Sequence, residues 1–570
     1  MTKIQMFLQA FRNFSNIIQP VLIGFFFFFY IVGLHTIFFE NIYWLIDCPI
    51  ICDSQQHLIG WLFFRDTDLL QFPLLKNVSY GLYYGSSIIF TDSLPIFALF
   101  FRFFGNIIDF EFQYFGLWIL CSFIMQAFFA DKILRLYIND NKYIFIATLF
   151  FCISPIFLNK LFFSHIALSS HWIILASIYL YLKKDFSTKS WLVLIILSTL
   201  VHAYYIAFTS IVFLMSLTKY YIEEKSTRNT TISFAAFFST LFIALYSLGY
   251  FILGGNYSNR GYGTFKMNLN SIFDPKAEIS INGSSFFFKD LPTPSVNMGF
   301  GDYEGYNFLG TGIIFLLFLT IIILSSLRFN EIATKSKEKL SSYLNSPNIK
   351  VVIVFSLLIF IYSISNNIFF GEVEIFTYPL PDFTKIITKT FRSSGRFFWI
   401  NYYLIYILVL ITVYKYSGKY KLYIILLCFI VQFVDMKLAF EELKKVFYKD
   451  PTSYSTIYKR NIALENPMWK EIPKNYDKIF YVIPNRFPER YFPLAYFAAK
   501  NKMQTNFGYF ARVDKKKVKK HNEILEKEIH NRKFSKNTLY VFFNDKLWKS
   551  IEAEYPNKTF IIDNYKILTP

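Results

Sequence analysis

Asp53 opens the stretch Asp53-Ser-Gln-Gln-His57-Leu-Ile-Gly-Trp61, and its carboxylate stands four residues from the His57 imidazole. On a helix that spacing puts both side chains on one face. A carboxylate placed there has two uses. It can take the proton of an attacking hydroxyl as a bond forms, or it can cap the helix with Gln56 as its partner three residues on. Asp92, in Phe90-Thr-Asp92-Ser-Leu-Pro95, has the same two readings. Pro95 suits a first helical turn, where its missing N–H costs little.

Three histidines stand at the edges of apolar runs. His165 and His171 flank Ile-Ala-Leu-Ser-Ser, and His202 begins His202-Ala-Tyr-Tyr205. Ionisable groups near membrane depth are rare and usually face a polar cavity. One such histidine is more often a boundary residue; three on the same side as Asp53 mark a candidate cleft. Two further clusters precede apolar runs: Gly301-Asp302-Tyr303-Glu304-Gly305-Tyr306 and Thr390-Phe391-Arg392-Ser393-Ser394-Gly395-Arg396. Arg392 and Arg396 are one helical turn apart, a spacing that suits either a bidentate grip on phosphate or anchoring to lipid headgroups. No compact His/Asp or Cys spacing marks a metal site, and a divalent cation stays open as a cofactor. Cys121, Cys152 and Cys428 fall in apolar runs and read as buried small hydrophobes. Cys48 and Cys52 fall in an expected outer loop, where a disulfide and two free thiols are equal readings.

The elements that position these residues follow from composition. Charged residues make up 17% of the chain, where a soluble domain carries about 25%. Hydrophobic residues make up 54%, and 72 residues are Phe. The charges lie between long apolar runs. The net charge of +19 fits basic loops held on the inner side of a membrane. It does not argue for nucleic acid, because no aromatic-and-basic reading module is visible. Lys3 and Arg12 precede an apolar run over 19–39, long enough to span and without a following cleavage site, so it reads as a first span, not a signal peptide.

Placing the basic N-terminus inside predicts a polytopic α-helical membrane protein of eleven spans. They lie near 19–39, 112–131, 143–160, 164–182, 190–203, 204–218, 232–253, 309–327, 350–366, 396–414 and 422–437. The transmembrane domain then covers 1–437, with a long first outer loop over 40–110 and outer loops over 254–308 and 367–395. The stretch 94–104 is short and interrupted by Pro95 and Arg102, so it reads as an interfacial helix. A second amphipathic stretch covers Gln55–Phe64. Counting 94–104 as a span would put the long, less basic loops inside, against the charge bias. Residues 438–570 are polar and alternate strand-like runs (Lys478–Pro484, Thr538–Phe543, Phe560–Asp563, Tyr565–Leu568) with a charged helix over Lys516–Ile529. They predict an extracytoplasmic α/β domain.

With an acidic first outer loop, about a dozen spans and an outer α/β domain, the chain resembles the GT-C superfamily of membrane glycosyltransferases. More narrowly it resembles an uncharacterised bacterial GT-C-like family. The likeness rests on the Asp53–Trp61 and Phe90–Pro95 stretches, His165-Ile-Ala-Leu-Ser-Ser-His171-Trp172, Tyr303-Glu304-Gly-Tyr-Asn-Phe-Leu309-Gly310 and Phe391-Arg392-Ser-Ser-Gly-Arg396-Phe397. It covers most of the membrane part and not the C-terminal domain. The resemblance implies sugar transfer from a polyprenyl-phosphate-linked donor to a cell-envelope glycan or lipid acceptor, at the outer face of a bacterial inner membrane. It implies a catalytic carboxylate at Asp53; this chain has Asp-Ser there, not a doubled acid, which leaves metal dependence open. Desolvation at an apolar border would raise the Asp53 pKa and suit it to a base's work. Arg392 and Arg396 are then the cations for the leaving phosphate, with His57, Asp92, His165, His171, His202 and Glu304 as further substrate-binding candidates. A single displacement would invert the anomeric centre. A lipid or polysaccharide transporter, a ligase-like assembly protein and a non-catalytic scaffold are the alternatives; a transporter usually shows two related halves, and no pseudo-repeat is visible.

The topology is directly testable. A reporter active only outside the cytoplasm, fused after Pro570, is expected to be active; a stably expressed but inactive fusion would overturn the eleven-span arrangement.

Overall fold

An apolar run most simply satisfies its own N–H and C=O groups by coiling into a helix, and helices dominate this chain. The computed structural model describes residues 3–47, 53–105, 107–108, 110–254, 260–276, 285–292, 302–329, 347–483 and 488–570. The Cys48/Cys52 pair and the basic stretch around Lys335 lie outside the described residues.

Among the described residues, five helices are long and apolar enough to cross a membrane: Phe115–Leu134, Asn141–Phe162, Ala203–Glu224, Thr227–Leu248 and Ser394–Tyr416. A sixth is added if Gly418–Asp435 and Lys437–Phe447, bent by 50°, are one span. The other expected spans fall on apolar helices of 10–17 residues, Asn16–Ile31, Ile166–Leu182, Thr188–Thr199, Thr311–Ser326 and Ile349–Ile364. Several runs are shortened or broken by identifiable residues. Pro155, which has no N–H to donate and crowds the preceding turn, separates Asn141–Cys152 from Pro155–Phe162. Ile166–Ser169 winds as a 3-10 turn before the helix Trp172–Leu182 begins.

The first helix, Lys3–Ile31, lies along Phe115–Leu134. Gly24 permits that approach, since a Cβ there would meet the Ile124 backbone at 2.5 Å. Aromatic rings fill the seams between helices, as in Phe28 against Phe123 and Phe123 against Phe157. The stretch expected to lie at the interface contains a helix of only eight residues, Pro95–Arg102, about 12 Å long at 1.5 Å per residue and too short to cross. The expected amphipathic character of Gln55–Phe64 is corrected: in the helix Asp53–Phe64 every residue from Ser54 to Phe64 is buried. The C-terminal part packs over the side that a free-standing loop would expose to water.

The C-terminal part holds a five-stranded sheet in the order Gln504–Thr505, Lys478–Val482, Thr538–Phe542, Tyr565–Leu568, Thr559–Ile562. Its first three strands run parallel, and the last two form an antiparallel hairpin. The helices Pro488–Lys500, Lys515–His530 and Asp545–Glu554 accompany it. Ahead of the sheet, Lys437–Phe447 is still part of the helical body, with Phe440 against Tyr30 and Phe433. The sheet edge is stitched to the first loop: Leu82 N–H donates to the Thr505 carbonyl (2.8 Å) and Thr505 N–H to that of Ser79 (2.9 Å).

Gly24→Val should lower the thermal midpoint of the purified protein, because a branched side chain cannot enter a 2.5 Å gap. Overpacking of this kind typically costs about 1–3 kcal/mol. A midpoint equal to wild type would show that the first helix is not held at that seam.

Candidate functional site

The helix Asp53–Phe64 is set in place by His57. Its Nδ1 lies 2.8 Å from the Thr91 carbonyl and its Nε2 3.1 Å from that of Ser164. Both partners are acceptors, and burial pushes the ring toward its neutral form. A neutral ring has one N–H, and the shorter contact, to Thr91, takes it. His57 thus braces three segments from behind the cluster and offers neither nitrogen to a substrate. Gly60 lets the 88–94 loop cross the helix, since a Cβ there would meet Thr91 Oγ1 at 2.0 Å. The loop is then tied down by Ser93 Oγ–H to the His57 carbonyl (2.7 Å) and by Tyr114 O–H to that of Ser93 (2.5 Å).

Asp53, at the start of the helix, places Oδ2 2.9 Å from His165 Nδ1. Burial raises its pKa, but the His165 imidazole outweighs burial and holds the carboxyl below its ordinary value. This corrects the upward shift expected from desolvation alone. The raised acid is Asp92. It does not cap the following helix; it closes the Ile88–Thr91 turn in a left-handed conformation, φ 52°, one that Asp tolerates better than most residues. Burial, and then the negative charge of Asp53, push its pKa up to about 7. His202 Nε2 lies 3.5 Å from Asp92 Oδ1. His202 Nδ1 accepts the Tyr204 N–H (3.2 Å) at the start of the helix Ala203–Glu224. In the neutral ring that contact leaves the proton on Nε2, facing the carboxylate.

Beside this pair sits a buried ion cluster. Glu304 Oε2 receives Lys160 Nζ at 2.9 Å and Arg396 Nε at 2.7 Å, and a second Arg396 nitrogen closes on Oε1. Burial opposes the Glu304 charge, but Arg396 and Lys160 outweigh it and hold the carboxyl well below its usual range. The guanidinium stacks 4.6 Å from the centre of the Tyr204 ring, a cation–π contact. Asp53, His165 and Arg396 all act on Asp92, and His165 and Glu304 act on Asp53, which ties the acid pair electrostatically to the ion cluster.

Two predicted residues stand elsewhere. His171 is wholly buried, its Nδ1 2.9 Å from the Tyr403 hydroxyl and its ring 4.4 Å from that of Trp399. Arg392 lies 5.4 Å from the Phe265 ring, while Arg396 grips Glu304, so the two arginines do not make one fork. Two cations of the cluster were not foreseen. Lys160 carried a signal, a lone charge in the apolar run Pro155–Phe163. Arg512 carried none. It belongs to the C-terminal part and follows Ala511, whose N–H donates to the Phe90 carbonyl (2.8 Å). Its charge acts on Asp92. Among the described residues, no three His, Cys, Asp or Glu side chains gather in a way that could hold a metal ion.

Apolar helices of crossing length around a buried acid–imidazole–cation cluster, under a small mixed sheet, define the class. Residues 21–437 match the family described as domain of unknown function (DUF6311), and residues 468–570 match the DUF6311 C-terminal domain. The chain belongs to this family. No similar curated protein or solved structure was found.

Glu304→Gln should destabilise the protein strongly, because it strands Lys160 and Arg396 as buried cations. Removing one partner of a buried ion pair typically costs about 3–5 kcal/mol. Thermal unfolding of the purified variant checks this; a wild-type midpoint would mean that water already reaches both cations.

Proposed function

We propose that this chain is a membrane glycosyltransferase that moves a sugar from a polyprenyl-phosphate-linked donor to a hydroxyl of a glycan or lipid acceptor. In this reading the apolar helices cross the inner membrane eleven times and the site opens on the outer face. The observation that carries the reading is geometric: two carboxylates each face an imidazole beside the Lys160–Glu304–Arg396 cluster, Asp53 with His165 at 2.9 Å and Asp92 with His202 at 3.5 Å. These settings hold Asp53 below its ordinary pKa and raise Asp92 to about 7. Neighbouring acids whose environments push their pKa values apart are the mark of assigned acid and base roles.

Asp92 is the base in this mechanism, in place of Asp53. Its carboxylate takes the hydroxyl proton while the acceptor oxygen bonds to the anomeric carbon. The bond from that carbon to the phosphate oxygen breaks, and the phosphate leaves with the electron pair. A single displacement inverts the centre. A base with a pKa near the working pH combines a useful ionised fraction with real proton affinity. Asp53 and His165 form a fixed dipole opposite it, and Asp53 tunes Asp92 by its charge. Arg396, Lys160 and Arg512 supply positive field for the developing phosphate charge.

The pH profile tests the assignment. With purified protein and a panel of polyprenyl-phosphate hexoses, kcat/KM should rise about tenfold per pH unit below pH 7 and level off above, since the base works deprotonated. Asp92→Asn keeps the left-handed backbone and should lose about 10²–10⁴-fold in rate. Asp53→Asn should move the rising limb to lower pH, because it removes a charge that raises Asp92. A flat profile, or near-normal turnover by Asp92→Asn, rejects Asp92 as the base.

A further inference from the structure

The helix Lys515–His530 carries its charges in the order its own backbone disfavours. Lys515, Lys516, Lys517, Lys519 and Lys520 fill its first two turns, and Glu523, Glu526 and Glu528 come later. The start of a helix is the positive end of its dipole, where acids are favoured and cations are not. Lys515 with Lys519, and Lys516 with Lys520, are also like charges four residues apart, a destabilising pairing. Asp514 offsets part of this as the N-cap, accepting the N–H groups of Lys516 (3.0 Å) and Lys517 (3.3 Å). All five lysines are exposed, while the other side of the helix buries His521, Leu525 and Ile529. Local rules are broken in this way mostly where a surface has work to do.

The place where this helix begins indicates which work. Lys517 Nζ donates to the Ile252 carbonyl at 3.3 Å. Ile252 lies in the turn just past Thr227–Leu248, one of the helices of crossing length. That helix is largely uncovered by the rest of the chain: Phe242, Ile243 and Tyr246 are exposed along its last two turns, and Phe251 just beyond them. Phe72 of the first loop packs on Tyr246 at 5.5 Å, and Phe251 on Phe242 at 5.9 Å. The loop is fastened there by Leu74 N–H to the Ser247 carbonyl (2.9 Å). Exposed aromatic rings at the end of an apolar helix are the pattern of a membrane–water boundary. Through Lys517 the basic turns stand against the rim of this aromatic band, at the depth of the phospholipid headgroups around a crossing helix.

We propose that Lys515, Lys516, Lys519 and Lys520 dock the C-terminal part on the membrane by binding the phosphates of anionic phospholipids. Such docking requires helices that cross a membrane, as in the reading above, and is independent of transferase activity. A lysine is a compact charge on a flexible stem, which lets each one follow a mobile headgroup. The docked helix also bears on the site. Arg512, whose charge acts on Asp92, stands three residues before Lys515, so a helix held at the lipid surface holds the cover over Asp92 from its outer edge.

Hydrogen exchange of the full-length protein in nanodiscs tests this, with phosphatidylcholine alone or mixed with phosphatidylglycerol. In wild type the amides of 515–522 should exchange about fivefold or more slowly with phosphatidylglycerol present, the effect of at least one lysine on an anionic surface. Added salt should cancel the slowing, because surface charges are screened. Replacing Lys515, Lys516, Lys519 and Lys520 together by Gln keeps good helix formers in place and spares the Lys517–Ile252 contact. That variant should exchange alike in both lipids, with a thermal midpoint in phosphatidylcholine equal to wild type or higher, because cations leave the positive end of the dipole. The same four positions as Arg should keep the slowing. Lys516→Gln with Lys520→Gln decides if the fourfold variant does not fold. Equal exchange of wild type in both lipids, or a slowing that the Gln variants retain, overturns the docking surface. Slowing by polygalacturonate and not by phosphatidylglycerol overturns it in favour of an acidic glycan.

Discussion

One buried carboxylate, Glu304, decides how the helical body closes. It gathers Lys160 from the helix Pro155–Phe162 and Arg396 from the turn Ser394–Phe398 onto the turn Asp302–Gly305. Such a cluster gains little stability over a well-packed apolar one, because three charges give up their water. What it secures is geometry. Any separation of the three segments strands a charge, so they are held at one separation. Backbone contacts finish the closure: Gly395 lies so near Gly305 that a Cβ would sit 2.5 Å from the Gly305 Cα. Asn307 Nδ2 donates to the carbonyls of both glycines, at 2.8 and 3.3 Å.

From that closure the position of the acids follows step by step. Arg396 lies on the Tyr204 ring, and the Tyr204 hydroxyl accepts the Ser393 N–H at 2.8 Å. Tyr204 sits two residues after His202, whose ring caps the same helix and faces Asp92. On the other side, the Lys160 carbonyl accepts the His165 N–H at 3.0 Å, and His165 holds Asp53. Each carboxylate therefore has a histidine supplied by a segment that Glu304 anchors. The two acids differ in the strength of that contact. The 2.9 Å contact to His165 overcomes burial at Asp53. The 3.5 Å contact to a neutral ring does not at Asp92, and the charge on Asp53 adds to the burial.

Features set by local chemistry were legible in the sequence. The strands Lys478–Val482, Thr538–Phe542 and Tyr565–Leu568 and the helix Lys515–His530 stand within a residue or two of their expected places. Asp53, Asp92, His165, His202, Glu304 and Arg396 were named from residue type and position beside apolar runs. What sequence could not supply were the partners. A carboxylate in an apolar setting reads as a raised acid, and only the fold shows which one has a close partner, as Asp53 has in His165 at 2.9 Å. Arg392 and Arg396 read as a pair because they are one turn apart, but the chain changes direction between them, with a 3-10 turn from Ser394, and they part company. The expected run 164–182 starts late as a helix, because the backbone turns at Ser164 and winds as a 3-10 turn over Ile166–Ser169 before Trp172, whereas the run 204–218 extends to the 22-residue helix Ala203–Glu224.

Expecting a separate outer domain also concealed how closely it belongs to the cluster. The segment 505–511 hydrogen-bonds along the first loop: Thr505 N–H to the Ser79 carbonyl, Tyr509 N–H to the Tyr80 hydroxyl and Ala511 N–H to the Phe90 carbonyl. Phe510 fills the space that Gly81 leaves, where a Cβ would meet its ring at 2.8 Å. Gln56, three residues from Asp53, is bonded to both sides of that seam. Lifting the C-terminal part away would expose the helix Asp53–Phe64, which is buried along its whole length after Asp53. It would also take Arg512 from the neighbourhood of Asp92 and bring water to a carboxylate whose raised pKa depends first on burial. The proton affinity of Asp92 is thus a property of both parts of the chain together. That gives a physical reason for the two family regions to occur in one polypeptide, since the setting of Asp92 in the first depends on the cover supplied by the second.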